Sequence, residues 1–350
     1  MDRKTLSLLV ALLLLASLVI QYPPHVRGGN PPPPDDSVNG IQYLSGDWIV
    51  SGTESYTDEV IVLSGNLTIT PTGNLTFRNV TLKMNCTENG TYHIEVQSGG
   101  QFYIYDKDGD NTTTEDASVI TSRVEDGCHQ YYFRVRKGAR LRMKNSEVRY
   151  CGQWLGGLDK YGWLIQSDDV VIEYSVISHN FNGIFAHKAS PRIENCTISW
   201  NGEAGIYCRE WANATIRNNL IAHNKIYGIW TNGGNNTSPR PCYAIIENNT
   251  ITGTGPVKGG VGISIDFSAP IVRNNRILES TEDGIFVGNG PYYFLPKIIN
   301  NIIDGGSVGS NYGIATSSVG YLEVINSTVL NTDIYDVSVC LLYTSDAADE

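Results

Sequence analysis

A six-residue motif recurs at nearly regular steps along the second half of the chain. It reads apolar, any residue, Asn, small polar, any residue, apolar, and a Gly-Ile pair follows some residues later. From the second copy onward the steps are 21, 23, 30, 26, 26 and 26 residues, about 25 on average, which is the period of a solenoid of stacked repeats. The eight copies begin at Met143, Ile172, Ile193, Ile216, Ile246, Val272, Ile298 and Val324.

The repeats favour short β-strands over helices. Each unit carries two or three runs with strand-like alternation, and Gly and Asn mark the tight turns between them. One unit cannot bury its apolar side chains alone, so successive units must stack with parallel strands about 4.8 Å apart. Stacking predicts two buried apolar columns. They are Ile172, Ile193, Ile216, Ile246, Val272, Ile298 and Val324, and Ile177, Ile198, Ile221, Ile251, Ile277, Ile303 and Val329.

The third position of the motif is Asn in seven of the eight copies, with Tyr174 as the exception. Asn tolerates the left-handed backbone of a sharp corner, and its amide can bond to the Asn one coil away. The pattern predicts an Asn ladder at one corner, doubled in four coils by a second Asn, and another corner at each Gly-Ile pair. The residues are Asn145, Asn195, Asn218, Asn248, Asn274, Asn300 and Asn326, doubled by Asn219, Asn249, Asn275 and Asn301, with Gly-Ile pairs at Gly183, Gly205, Gly228, Gly262, Gly284 and Gly313.

These units resemble the repeats of the right-handed parallel β-helix family shared by pectate lyases and related polysaccharide-active proteins. The resemblance covers residues 141–339 and implies an all-β fold, a single-stranded right-handed parallel β-helix. Residues 41–140 are also β-rich and are expected to form the N-terminal β cap and the first coils, because an uncapped solenoid exposes a pairing edge. A separate small β domain is the alternative for that region.

Both ends of the chain differ in composition from the repeats. Residues 1–20 have a basic start and an apolar run of the length of a secretory signal peptide, with an uncleaved N-terminal anchor as the alternative. Residues 21–40 are Pro-rich and are expected to form an extended linker. Residues 340–350 resemble a translated sequencing adapter. Export predicts an extracellular or cell-surface protein that meets a membrane only through an uncleaved N-terminal segment.

Composition restricts the partners and the chemistry. The formal net charge of −11 argues against nucleic acid or an anionic membrane surface as a partner. Six cysteines precede the adapter-like tail and permit up to three disulfides in an exported chain, with Cys128 and Cys151 as a candidate pair between neighbouring coils. The chain has no Cys-x-x-Cys pair or His cluster that would indicate a zinc site.

Asn-x-Ser/Thr sequons are dense, as expected of a glycosylated surface protein. With the Leu-Thr-Ile and Leu-Thr-Phe rhythm after residue 66, they resemble archaeal cell-surface proteins. Sequons at Asn195, Asn248 and Asn326 are attributed to the corner ladder, whose amides are expected to be closed to a transferase. The glycosylation candidates are Asn66, Asn74, Asn79, Asn85, Asn89, Asn111, Asn213 and Asn236.

The residue after each Gly-Ile pair is a candidate for sugar binding. Side chains alternate along a strand, so this residue is expected to face solvent. On three consecutive coils it is Phe185, Tyr207 or Trp230, which predicts an exposed, stacked aromatic ladder. The alternatives are that the stacking only stiffens the sheet or that a loop covers the ladder. Polar side chains that suit sugar hydroxyls follow two positions later, namely His187, Arg209, Asn232 and Asp266.

Catalytic signals are weaker. The paired acids at 168–169 and 282–283 do not supply two carboxyls across one bond, because adjacent residues of a strand point to opposite faces. Hydrolases of the family carry Gly-His-Gly and Arg-Ile-Lys motifs that this chain lacks, and Asp266 with Arg209 and Arg273 matches a lyase site only loosely. One further repeat position is occupied by Tyr150, His179, Trp200 and His223. These residues are interpreted as corner residues of the coil and not as catalytic groups.

One acidic segment has the spacing of a calcium loop. Asp106, Asp108 and Asp110 alternate as calcium ligands do, but Asn111 replaces the Gly of an EF-hand loop and Ala117 replaces its bidentate Glu. A solvated acidic turn is the favoured interpretation, and calcium binding is the alternative. The sequence indicates no other cofactor.

The sequence therefore predicts an exported surface protein that binds a polysaccharide or glycan along an exposed aromatic ladder. A polysaccharide lyase or glycoside hydrolase is one alternative, and a structural spacer or adhesin is the other. Whether the chain is an enzyme stays open at this point.

Overall fold

The computed structural model describes residues 40–110, 115–153, 157, 161–235, 237–255, 259–290, 294–306, 310–317 and 322–338. Within these residues the chain forms 33 β-strands in two sheets, and neighbouring strands run parallel. The same residues contain no helix with the length and apolar character needed to cross a membrane.

The larger sheet, sheet A, supplies two strands to each coil of the repeat region. Its first eleven strands are β1 (Ile41–Ser45), β3 (Thr53–Ser64), β5 (Asn74–Met84), β7 (Gln101–Tyr105), β8 (Val119–Ser122), β10 (Arg140–Lys144), β11 (Glu147–Arg149), β13 (Val170–Glu173), β14 (Val176–Ser178), β16 (Arg192–Glu194) and β17 (Thr197–Ser199). The others are β19 (Thr215–Arg217), β20 (Leu220–Ala222), β22 (Ile245–Glu247), β23 (Thr250–Thr252), β25 (Ile271–Arg273), β26 (Arg276–Leu278), β28 (Lys297–Ile299), β29 (Ile302–Asp304), β31 (Glu323–Ile325) and β32 (Thr328–Leu330).

The second sheet, sheet B, supplies one strand to each coil. Its strands are β2 (Trp48–Val50), β4 (Leu67–Ile69), β6 (His93–Val96), β9 (Tyr132–Val135), β12 (Trp163–Ile165), β15 (Ile184–His187), β18 (Ala204–Arg209), β21 (Tyr227–Asn232), β24 (Val261–Asp266), β27 (Asp283–Gly288), β30 (Ser310–Ser317) and β33 (Thr332–Ser338).

Equivalent residues of successive coils lie directly above one another. Ile193 pairs with Ile172 on one side and with Ile216 on the other, and Ile198 pairs with Ile177 in the second column. Both predicted columns are buried in the core, apart from the half-buried members of the last coil. Full burial of one such side chain contributes about 1.5–3 kcal/mol. The predicted right-handed parallel β-helix is confirmed.

The Asn corner is confirmed, but its ladder is not where the sequence placed it. All seven Asn of the third motif position have left-handed φ angles between 47° and 57°, and Tyr174, in the copy that begins at Ile172, has φ 50°. Most of these side chains are exposed, including those of Asn248 and Asn326. The attribution of these two sequons to a closed ladder is therefore wrong, because the left-handed residue turns its side chain outward while the next residue turns inward.

The ladder is built by the following residue of each coil. The Nδ2 group of Asn219 donates to Oδ1 of Asn249 at 3.0 Å, Asn249 donates to Asn275 at 3.0 Å, and Asn275 donates to Asn301 at 3.0 Å. All four side chains are buried. Each amide also binds backbone groups, so the corner leaves these buried polar atoms satisfied.

The Gly-Ile pairs are not corners, contrary to the prediction. Gly205 and Gly228 lie inside strands of sheet B, and neither has a positive φ. A Cβ on Gly205 would lie 2.7 Å from the carbonyl oxygen of Gly228 and 2.8 Å from Nδ2 of Asn224. These positions require Gly because the next coil and the buried amides approach too closely for a side chain.

The interpretation of Tyr150, His179, Trp200 and His223 as corner residues is confirmed. Their φ angles lie between 55° and 58°, and Gly253 takes the same position on the next coil with φ 60°. Trp200 stacks on His223 with ring centroids 4.6 Å apart, and Tyr150 stacks on His179 at 5.2 Å.

The strands of residues 41–140 belong to the same two sheets as the repeats. Strand β10 pairs with β7 on one side and with β13 on the other, so the coils continue across residue 140. The N-terminal cap stays a prediction. The predicted signal peptide or anchor, the linker up to residue 39 and the adapter-like tail lie outside the described residues.

The six cysteines before residue 340 are free thiols, so the disulfide prediction is wrong. Cys151 is fully buried in the apolar core, whereas Cys128 is exposed. Burial raises the pKa of the Cys86 thiol to about 11. The buried thiols therefore behave as small apolar side chains of the core.

Replacement of one ladder amide should destabilise the protein. Asn275→Ala removes two donated and two accepted hydrogen bonds. Each buried partner left unsatisfied costs about 1–3 kcal/mol. We expect a lower free energy of unfolding in urea titrations. The exposed neighbour Asn274, which has φ 56°, offers a control. Gly adopts this φ angle readily, so Asn274→Gly should change the free energy of unfolding by less than about 0.5 kcal/mol. Equal stability of the two variants would contradict the ladder.

Candidate functional site

The predicted aromatic stack exists on the outer face of sheet B. Phe185, Tyr207 and Trp230 lie on β15, β18 and β21 in one register column. The ring centroids of Phe185 and Tyr207 are 4.8 Å apart, and those of Tyr207 and Trp230 are 4.2 Å apart with an interplanar angle of 5°. Coil stacking alone sets this spacing, because parallel strands lie about 4.8 Å apart.

The expected exposure of this stack is wrong for two of its three rings. Phe185 is 0% and Tyr207 is 5% exposed, and only Trp230 is half-buried. The rings cover one another's faces, and Tyr161 contacts Phe185 edge-on with centroids 6.1 Å apart. With Leu164, these side chains form a small apolar cluster separate from the main core.

The polar candidates also form a register column. His187 pairs with Arg209, Arg209 with Asn232, and Asn232 with Asp266. His187 is buried and the other three side chains are half-buried, so the expectation that this column faces solvent is wrong for His187. Asp266 accepts a hydrogen bond from Nε1 of Trp230 at 3.0 Å, which joins the polar column to the aromatic one.

The two columns meet at a cleft of about 410 Å³ on sheet B. Of the seven predicted residues, four line this cleft, whereas Phe185, His187 and Asp266 lie behind or beside it. The wall opposite the sheet comes from the loop that follows β21, within the longest step of the repeat. The lining residues are Tyr207, Arg209, Glu210, Trp230, Asn232, Gly234, Asn235, Ser238 and Arg240.

Glu210 is the charged centre of the cleft. Its carboxylate lies 2.6 Å from Nη1 of Arg240, 3.3 Å from Nζ of Lys188, 3.5 Å from Nε of Arg209 and 3.7 Å from Nε2 of His187. Burial opposes ionisation of this carboxyl, but the hydrogen bonds from Arg240 and Lys188 outweigh it and hold its pKa below the usual value. Glu210 therefore orients the guanidinium group of Arg240 in the cleft.

A smaller pocket of about 160 Å³ adjoins the cleft. Glu203 lines it together with Tyr161, Tyr207, Arg209 and Trp230. Burial raises the pKa of the Glu203 carboxyl, against the opposing effect of a 2.9 Å hydrogen bond from Nδ2 of Asn182. A carboxyl with this environment keeps its proton to higher pH than an exposed one.

The sequence did not single out Glu203, Glu210 or Arg240. One signal for the cleft was present, because the step from Ile216 to Ile246 is 30 residues and the next is 26. The surplus chain lies where the cleft wall forms. No such signal marks Glu203 or Glu210 in the sequence, because an isolated Glu there cannot be distinguished from an ordinary charged surface residue.

The acidic segment gathers three carboxylates, but not the predicted three. Oxygens of Asp106, Asp108 and Asp116 lie within 4.8 Å of one another, whereas Asp110 donates its backbone N–H to Asp108 at 2.9 Å. Asp106 also accepts a hydrogen bond from Nδ2 of Asn145 at 2.9 Å. These hydrogen bonds stabilise the acidic turn by themselves, and calcium binding stays a prediction.

The sequons occupy different environments. Asn213 is exposed, whereas Asn66, Asn74, Asn79, Asn85 and Asn89 are half-buried. Several of these amides already donate hydrogen bonds, such as Asn79 to Asp58 at 2.7 Å. Asn111 and Asn236 lie outside the described residues. Glycosylation stays a prediction at all eight positions.

The chain belongs to the family defined by the right-handed β-helix region, whose profile matches residues 65–242. None of the curated proteins compared with it matches. Solved structures with a similar fold include a variant of the periplasmic alginate epimerase AlgG, with 12% identity and a TM-score of 0.46 over 82% of this chain and 66% of that one.

Two other solved structures give similar values. The A-module of the Azotobacter vinelandii mannuronan C-5 epimerase AlgE4 has 15% identity and a TM-score of 0.45, over 86% of this chain and 89% of that one. The Dettilon tailspike protein has 12% identity and a TM-score of 0.44, over 85% and 62%. The chain thus spans less than two thirds of the AlgG variant and of the tailspike. These likenesses concern the fold alone.

His187 should make stability depend on pH. Its ring is buried beside Phe185 at 6.0 Å, and neither nitrogen has a hydrogen-bond partner. Burial lowers the pKa of His187 from 6.5, and Glu210 opposes the shift while Lys188 and Arg209 add to it.

Well above pH 6.5 the folded and unfolded chains are both neutral at this residue, so it contributes no pH dependence there. As the pH falls from 6.5 through the lowered pKa, the unfolded chain takes up the proton first, and stability is lost. His187→Gln should reduce the fall in melting temperature between pH 7.5 and pH 5. Parallel melting curves for wild type and variant would contradict this effect.

Proposed function

We propose that this protein binds a polysaccharide or glycan in the cleft on sheet B. The observation that carries the proposal is the convergence of the ring edges of Tyr207 and Trp230 with the polar side chains of Arg209, Asn232 and Arg240 in one open space of about 410 Å³. Ligand-binding sites are typically concave and combine aromatic surface with a few polar groups in fixed positions. The predicted export of the chain would bring this cleft into contact with glycans outside the cell.

The polar groups suit sugar hydroxyls. A guanidinium offers five N–H donors in a fixed plane, and an Asn side chain both donates and accepts. Arg240 is held by Glu210 at 2.6 Å, so little side-chain freedom is lost when it binds a ligand. Arg209 lies 3.5 Å from the same carboxylate, and its Nε has no hydrogen-bond partner among the described residues. Asn232 lies between Arg209 and Asp266 in the same column and supplies the amide.

Arg209→Ala should weaken glycan binding while the fold is kept. Tyr207 and Trp230 are poorer test positions, because their truncation also removes apolar packing from the cluster on sheet B. A hydrogen bond from a charged group contributes about 1.5–3 kcal/mol, so we expect affinity to fall by about tenfold to a hundredfold. Glycan-array screening of the wild-type protein, followed by calorimetry with the best polysaccharide, would measure this.

Arg192→Ala is the matched control. Arg192 lies on sheet A, where it forms ion pairs with Glu173 at 2.9 Å and Glu194 at 3.2 Å, away from the cleft. Its removal should leave affinity unchanged. An equal loss in both variants, or no loss with Arg209→Ala, would count against the cleft as the binding site.

A second candidate function is glycan cleavage, and Glu203 is the observation that favours it. A glycosidase needs a carboxylic acid that stays protonated beside the scissile bond. The Glu203 carboxyl has a raised pKa, caused mainly by burial, and lies in the pocket that adjoins the proposed binding cleft.

Glu203→Gln separates cleavage from binding, since Gln keeps the size and hydrogen bonding of the side chain but carries no transferable proton. If the protein is a hydrolase, reducing-end release from alginate or polygalacturonate should fall by about a hundredfold or more in the variant, with binding preserved. Turnover at the wild-type rate in Glu203→Gln would exclude this carboxyl as the acid. Absence of products from the wild-type protein would leave binding as the function.

A further inference from the structure

The aromatic stack has little ring face left for a ligand. Tyr207 is covered by Phe185 at 4.8 Å on one side and by Trp230 at 4.2 Å on the other. Trp230 is in turn stacked by Tyr227, with centroids 4.8 Å apart. A sugar that uses the C–H groups of its ring needs an open aromatic face, where the π-electron density lies. The stack therefore presents mainly ring edges to the cleft.

Trp211 is an exposed aromatic residue next to two residues that line the cleft, Glu210 and Arg240. It is 52% exposed and follows Glu210 directly in the chain. The guanidinium carbon of Arg240, which lines the cleft, lies 5.2 Å from the ring centroid of Trp211. Arg240 therefore covers one face of the indole, and the solvent-exposed surface of Trp211 lies on the remainder of the ring.

Three contacts fix Trp211 and Arg240 relative to the cleft. The backbone N–H of Trp211 donates to the carbonyl oxygen of Arg240 at 2.9 Å, and Nη1 of Arg240 donates to Glu210 at 2.6 Å. The N–H of Glu210 donates to the carbonyl oxygen of Asn232 at 2.9 Å. The indole is thus attached to the cleft wall by its backbone and by its stacking partner.

The backbone at this point is strained. Glu210 and Trp211 have consecutive left-handed φ angles of 48° and 60°, which cost side chains of this size about 1–3 kcal/mol each. Trp200, at another corner of the same coil, has φ 58°, and Asn195 at the Asn corner has φ 57°. Left-handed backbone is therefore a property of all three corners, and attachment to the cleft is what distinguishes Trp211.

We propose that Trp211 and Arg240 form a further sugar-binding subsite at the rim of the cleft, so that a bound glycan runs along the strand direction of the coil. One sugar ring stacks on the indole face that points away from Arg240, while the neighbouring units lie in the cleft beside Arg209 and Asn232. This inference rests on the proposed function, and it specifies the direction of the chain and the need for an oligomer.

The distance to the subsite sets the length of ligand that can reach it. Trp211 is four residues beyond Tyr207; the two steps within β18 alone cover about 7 Å, and the corner at Glu210 and Trp211 extends the path further. That path is longer than a single sugar ring. Oligomers should therefore contact both parts of the site, whereas the shortest fragments should bind in the cleft alone.

The experiment compares Trp211→Ala with Trp200→Ala. Trp200 is 55% exposed, has a nearly equal φ and also has one face covered, by His223 at 4.6 Å, but its stacking partner does not line the cleft as Arg240 does. Calorimetry would use dimers and hexamers of mannuronate, galacturonate and cellobiose-type β-glucan. We expect Trp211→Ala to weaken hexamer binding about tenfold and to leave dimer binding unchanged, while Trp200→Ala changes neither. Trp211→Phe should restore most of the hexamer affinity.

The other outcomes are equally informative. Unchanged hexamer affinity in Trp211→Ala would overturn the subsite while leaving the cleft as a binding site. An equal loss in both Trp variants would show that the corner geometry, and not the subsite, affects binding. If the wild-type protein binds none of the hexamers, the proposed function fails for these glycans, and the subsite fails with it.

Discussion

The fold depends on the alignment of equivalent residues on successive coils. Parallel pairing repeats the same side chain about every 4.8 Å, so each sequence position becomes a column. An Ile column gives a dry core, an Asn column gives a hydrogen-bonded ladder, and an aromatic column gives a ring stack. A single coil has none of these interactions, which is why stability and site geometry both arise between coils.

The same alignment limits what a column can do for a ligand. Rings that stack on one another shield their own faces, and amides that pair with one another satisfy their own hydrogen-bonding groups. Binding capacity is therefore concentrated where the columns are interrupted. Here the interruption is the long step after Ile216, whose extra residues bring Arg240 against Glu210 and Trp211.

Sequence reasoning predicted the regular part of the molecule and failed at the orientation of side chains. The apolar columns and the left-handed Asn corner follow from periodicity and from the backbone preferences of Asn. Exposure of Phe185 and Tyr207 was wrong because alternation gives the face of the sheet but not what packs over it. The predicted ladder was displaced by one residue. Residues 274 and 275 are both Asn, and only the backbone φ angle decides which of the two side chains turns inward. Glu203 and Glu210 could not be predicted, because their role depends on neighbours that the loop brings together.

The ladder from Asn219 to Asn301 runs in one direction, because Asn219, Asn249 and Asn275 each donate a side-chain hydrogen bond to the Asn of the coil that follows. A further 26-residue coil with the same Asn, inserted within the ladder, would accept a hydrogen bond from the preceding coil and donate one to the following coil. Duplication of the 26-residue coils that begin at Ile246 and Val272 can therefore lengthen the ladder without new chemistry, whereas the coil that begins at Ile216 carries the surplus loop and cannot be copied without copying the cleft wall. The architecture thus separates coils that can be added without changing the cleft from the coil that forms it.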